Sequence, residues 1–86
     1  MKSKTTPEFR KLLKALPKDV RQQAKAAYRL FKQDPYHASL HFKPIRQRLY
    51  SARVGAGYRA LGQRVSDDLI IWGWIGTHTD YDKLVK

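Results

Sequence analysis

Residues Leu69 to Ile75 read Leu-Ile-Ile-Trp-Gly-Trp-Ile, apolar throughout except for one glycine. A strand with one wet face alternates polar and apolar residues, whereas one that is apolar on both faces belongs in the middle of a sheet. The run is far short of the roughly 20 apolar residues that a membrane-spanning helix needs. The fold is therefore expected to be built around a central strand, and that strand runs out through Gly76-Thr77 onto His78.

Two more strands precede it, at about 49–54 and 58–65. Gly55-Ala56-Gly57 supplies the turn between them, where glycine takes positive φ without strain, and Ser66-Asp67-Asp68 supplies the next. The N-terminal half follows a helical period instead. Thr6-Pro7-Glu8 is a helix start, with an N-cap threonine, proline in the first turn and an acid beside it. Phe9, Leu12, Leu13 and Leu16 then share one face, and Pro17 ends the run. A second helix opens at Lys18-Asp19-Val20 and stops at Asp34-Pro35, because the residue before a proline avoids helical geometry. Its apolar stripe is Val20, Ala24, Ala27, Tyr28 and Phe31. Residues 35–47 read as an irregular loop anchored by Leu40 and Phe42, residues 1–6 as a tail or a very short edge strand, and Thr79 or Asp80 as the cap of a terminal helix. The expected architecture is a single α+β domain over residues 1–86, with an N-terminal helical hairpin packed on one face of a small antiparallel sheet.

Charge narrows the choice of partner. Eighteen Lys and Arg stand against seven Asp and Glu, a formal net charge of +11. Such an excess suits polyanions. It is also one-sided: Lys43, Arg46, Arg48, Arg53, Arg59 and Arg64 occur with no acid between residues 43 and 64. The absence of cysteine removes disulfides and thiol chemistry and fits a reducing cytoplasm, and residues 1–7 lack the apolar stretch of a signal peptide.

Strand alternation assigns faces. Tyr50, Ala52, Val54, Tyr58 and Ala60 form the more apolar face, which the helices must cover. Arg53 and Arg59 then project together from the other side, with Gly73 leaving a gap beside them and His78 at the strand end. Lys43, Arg46 and Arg48 are placed to rim that surface, and His41 is a second candidate acid or base. This set suits an RNA phosphodiester. Cleavage without a metal needs a base for the 2′-hydroxyl, cations for the phosphorane and an acid for the leaving 5′-oxygen. Arginine supplies fixed charge with bidentate geometry, and histidine titrates near neutrality. Tyr81 is the best base-stacking candidate, while Trp72 and Trp74 read as core. Three histidines without supporting acids make a poor metal set, and no cofactor motif is present.

The ordered series Asp34-Pro35, Leu40-His41-Phe42-Lys43, Tyr50-Ser51-Ala52-Arg53-Val54, Gly57-Tyr58-Arg59-Ala60-Leu61 and Ile70 through Asp82 resembles the RelE/ParE superfamily of type II toxins. In element order the resemblance spans residues 7–86. It implies a small basic toxin neutralised by an acidic antitoxin. On the RelE-like branch it implies cleavage of mRNA on the ribosome, with Arg59 stabilising the phosphate, Arg53 as a neighbouring cation, His78 as acid or base and Tyr81 near the base. On the ParE-like branch it implies inhibition of DNA gyrase without RNA cleavage. A basic RNA- or ribosome-binding module without toxicity is the third expectation. The chain departs from the family pattern in having only six residues before the first helix, and in flanking Tyr81 with Asp80 and Asp82 where basic residues are usual.

Overall fold

The computed structural model describes residues 1–86. A short strand β1 (Lys2–Thr5) leads into helices α1 (Pro7–Lys14) and α2 (Lys18–Gln33). A 3₁₀ turn (Ala38–Leu40) and four strands follow: β2 (Lys43–Arg46), β3 (Leu49–Val54), β4 (Tyr58–Ser66) and β5 (Leu69–Thr77). Helix α3 (His78–Val85) completes the chain. The strands form one sheet in the order β1-β5-β4-β3-β2. The apolar strand β5 thus has a neighbour on each side, as its composition requires.

The N-terminal helices start where the sequence places them. Thr6 Oγ1 accepts a hydrogen bond from the Phe9 N–H at 3.0 Å, with Pro7 in the first turn and Glu8 beside it. Helix α1 ends at Lys14, before Pro17, and Pro17 instead stands directly ahead of α2. The two helices cover one face of the sheet. Phe31 of α2 meets Phe42 and Trp72 edge-on, with ring centroids 5.0 and 5.4 Å away. Around them Leu40, Ala52, Val54, Ala60, Ile70 and Ile75 complete the core.

Two strands extend the sheet beyond the three read from sequence. β1 runs parallel to β5, from Lys2 opposite Leu69 to Thr5 opposite Trp72, so the short leader does form an edge strand and the sheet is mixed. β2 lies in the segment read as loop. Pro44 masked it, but proline is tolerated on an edge strand because its missing N–H leaves no ladder bond unmade. The terminal helix also starts earlier than expected: the cap is Thr77, whose Oγ1 accepts from the Asp80 N–H at 3.1 Å.

A bulge in β5 corrects the reading of the two tryptophans. Leu61 pairs with Trp74 and Gly62 with Trp72, so Gly73 is an extra residue in β5. In an unbroken strand residues 72 and 74 would share a face. The inserted glycine sends Trp72 to the core, where it is 4% exposed, and leaves Trp74 half-buried on the opposite face. Nor is Gly73 the gap beside the arginines, since Arg59 faces Gly76. A Cβ added at Gly76 would sit 2.5 Å from Trp74 Cζ2, so the indole lies over this glycine. Gly76→Ala should therefore destabilise the protein by about 1–3 kcal/mol, the usual range for overpacking. Urea unfolding followed by tryptophan fluorescence tests this, and a change under about 0.5 kcal/mol would mean that the indole moves aside freely.

Candidate functional site

The face of the sheet away from α1 and α2 carries the charges. Arg53 and Arg59 are direct cross-strand partners on β3 and β4. Like charges at such a position repel, and the pairing is unfavourable for folding alone. The Arg59 guanidinium is held below the ordinary arginine pKa, first by burial and then by the charge of Arg53, with Tyr81 and Asp82 acting in the opposite direction. Arginine stays protonated nonetheless, so two like charges face each other across the ladder. Arg59 Nη1 donates to the Tyr58 carbonyl at 2.8 Å, while the buried Arg53 Nε has no partner.

Lys43 joins this face because it pairs with Ser51 across β2 and β3. His41 leaves the 3₁₀ turn in a left-handed conformation, φ 46° and ψ 41°. Non-glycine residues adopt that conformation in only a few per cent of cases, and such outliers concentrate at working sites. From the other side α3 folds back over the sheet. His78 is its first residue, and its N–H bonds the Gly57 carbonyl at 2.9 Å, tying the helix start to the β3–β4 turn. His78 Nε2 lies 3.3 Å from Asp82 Oδ1, one helical turn on.

These elements enclose a cleft of about 240 Å³, lined by Lys43, Arg53, Arg59, His41, His78 and Asp82, with Ser51 and Tyr81 completing its walls. Three fixed cations and two imidazoles thus face one carboxylate. Enclosed sites for small molecules run to about 300–1,000 Å³, and this cleft is smaller than that. A larger hollow of about 310 Å³ lies between the helical hairpin and the sheet, but its lining is mainly apolar, including Phe9, Leu13, Phe31 and Ile75. No group of three or more His, Cys, Asp or Glu side chains is arranged to hold a metal ion.

The cleft gathers Arg53, Arg59, His78, His41 and Lys43, but not every candidate reaches it. Arg46 Nη2 donates to the Val85 carbonyl at 3.0 Å, where a cation suits the C-terminus of α3. Arg48 Nη1 donates to the Arg64 carbonyl at 3.1 Å. Both therefore lie outside the cleft lining, each with one bond to a backbone carbonyl. Arg64 is likewise occupied: bonds to the hydroxyls of Tyr36 and Tyr50 raise its pKa, and its Nη2 holds the Asp67 carbonyl at 2.8 Å. Tyr81 lines the cleft but is only 8% exposed, so its ring is not an open stacking surface. α3 also covers much of the face read as open, with Ser51 and Leu61 buried there. The sequence reading missed Asp82 as a cleft residue. Its i, i+4 spacing to His78 was the available signal, obscured by placing the helix cap at Thr79 or Asp80.

No curated protein sequence matches the chain significantly. Solved structures do share the fold. RelE in the RelB–RelE antitoxin–toxin complex of Methanococcus jannaschii superposes with a TM-score of 0.73 at 23% identity, over 94% of this chain and 96% of that one. YafQ from Escherichia coli gives 0.71 at 17% identity, over 92% and 94%. The isolated E. coli RelE toxin gives 0.65 at 19% identity, over 98% and 94%. A family model described as a ParE-like toxin domain matches residues 18–83. With most of its length covered by that model, the chain belongs to the ParE-like toxin domain family.

Proposed function

We propose that this protein is the toxin of a type II toxin–antitoxin pair and acts as a metal-independent endoribonuclease on ribosome-bound mRNA. The observation that carries this reading is the paired Arg53 and Arg59 sharing one cleft with two imidazoles, those of His41 and His78. One imidazole accepts the 2′-hydroxyl proton as that oxygen attacks phosphorus. The two guanidinium groups, with Lys43, stabilise the negative charge that builds on the phosphorane oxygens. The other imidazole protonates the departing 5′-oxygen. The products are a 2′,3′-cyclic phosphate and a free 5′-hydroxyl.

Two facts support an acidic antitoxin as its partner. The toxin carries a net charge of +11, and the M. jannaschii relative was solved with its RelB antitoxin. An acidic partner laid over the cleft would satisfy the cations that the free toxin leaves unmatched. No helix is long and apolar enough to cross a membrane.

Induced expression should arrest translation and leave new mRNA 5′ ends within reading frames, mapped by primer extension, with co-expression of the antitoxin abolishing both. The family model's ParE-like description favours a second reading, inhibition of DNA gyrase. Its signature is supercoiling inhibition and DNA damage signalling with intact mRNA, and that result would replace the ribonuclease. Salt-sensitive RNA or ribosome binding without growth arrest would leave only the binding module.

A further inference from the structure

We infer that Asp82 is a positioning residue, which orients the His78 imidazole and decides which of its nitrogens exchanges a proton with the substrate. The inference rests on the ribonuclease reading for its catalytic consequence, but not for the orientation itself. A carboxylate is out of place in a cleft meant for phosphate, because it repels the ligand. Asp82 is nevertheless the one acid in the lining, among Lys43, Arg53 and Arg59. It stands one helical turn after His78, and its Oδ1 is 3.3 Å from Nε2. Residues at this spacing face each other on a helix, so the approach is built into α3.

The chemistry follows from donor and acceptor inventories. An ionised carboxylate only accepts hydrogen bonds, and a neutral imidazole carries one N–H and one lone pair. A hydrogen bond from Nε2 to Asp82 would put the proton on Nε2 and leave Nδ1 for the substrate. The His78 side chain makes no other polar contact within the protein. Other parts of α3 hold the pair in place. Thr77 caps the helix, the His78 N–H is bonded to Gly57, and Tyr81, between the two residues in sequence, is buried. Asp82 also partly offsets the repulsion between Arg59 and Arg53, so its cost to phosphate binding is not uncompensated.

Both side chains are about half exposed, at 51% and 49%. Exposed pairs are worth little in stability, so Asp82→Ala should leave the fold intact. The expected effect on activity is a loss of roughly tenfold in kcat, a fraction of the 10²–10⁴ that a positioned acid–base group supplies. KM should stay level or fall, since a negative charge leaves the cleft. Asp82→Asn keeps an acceptor oxygen without the charge and should lose less than Asp82→Ala.

The deciding measurement is the nitrogen-15 NMR spectrum of the full chain with labelled histidine. Wild type should show neutral His78 with its proton on Nε2, and Asp82→Ala should show a mixture of tautomers. Identical tautomer populations in the two proteins would overturn the inference, as would a kcat for Asp82→Ala equal to or above wild type. The NMR arm needs no turnover. A wild-type protein that cuts no RNA would therefore sink the ribonuclease reading while the orientation by Asp82 is judged separately.

Discussion

Arg59→Ala should lower the rate of RNA cleavage by about 10²–10³, which corresponds to about 2.7–4 kcal/mol for one preorganised group aimed at developing charge. The cause is the opposition of like charges already present in the free protein. Arg59 is partly buried, faces Arg53 across the β3–β4 ladder and has only the Tyr58 carbonyl as a hydrogen-bond partner. A phosphorane carries more negative charge than the phosphodiester before it, so the two guanidinium groups gain most at the transition state. The loss should therefore fall on kcat and kcat/KM together, with little change in KM. Arg59→Lys keeps the charge but not the bidentate fork, and should recover only part of the activity. The same geometry predicts the effect on stability. Removing one of two opposed like charges relieves a repulsion, so Arg59→Ala should melt no lower than wild type. Ribosome-dependent cleavage kinetics and thermal unfolding of the same samples test both halves. Full activity in a folded Arg59→Ala protein would exclude the proposed chemistry. A lowered melting temperature would instead assign Arg59 to the scaffold.

Much of this arrangement is legible in the sequence because it depends on period. Alternation in residues 49–54 and 58–61 sends Arg53 and Arg59 to one face, and the β3–β4 register has no irregularity to disturb it. The helix starts at Thr6 and Lys18 follow from capping chemistry and proline, both local effects. What sequence reasoning misses depends on departures from period or on distant contacts. The bulge at Gly73 shifts the phase of β5, and no pattern within Trp-Gly-Trp reveals that Leu61 and Gly62 pair on either side of it. Strand β2 is hidden by Pro44, which only an edge position permits. Arg46 and Arg48 look like part of a basic rim, but their partners are the Val85 and Arg64 carbonyls, remote in sequence. The role of Asp82 depended on a cap position misplaced by two or three residues. Helix ends are commonly uncertain by one or two residues, and here a miss of that order or slightly larger conceals an i, i+4 contact.

Replacing the two histidines of the cleft should separate acid from base. His78→Ala and His41→Ala should each lower cleavage within the range of about 10²–10⁴ for a lost proton-transfer group, with the fold preserved because both side chains are exposed. The double variant should lose less than the product of the two single losses, because groups acting on one transition state are not additive. An RNA substrate with sulfur in place of the bridging 5′-oxygen distinguishes the roles. Thiolate departs without a proton, so this substrate should restore most of the activity to the variant that lacks the acid and none to the variant that lacks the base. The pH dependence gives an independent check. Two groups needed in opposite protonation states give a bell-shaped profile for kcat/KM, and removing either should abolish one limb. If His41→Ala retains full activity on both substrates, its left-handed backbone belongs to the turn alone, and the cleft works with one imidazole. If His78→Ala also retains full activity, neither histidine transfers a proton, and the two arginines then mark a site that binds an anion without cutting it.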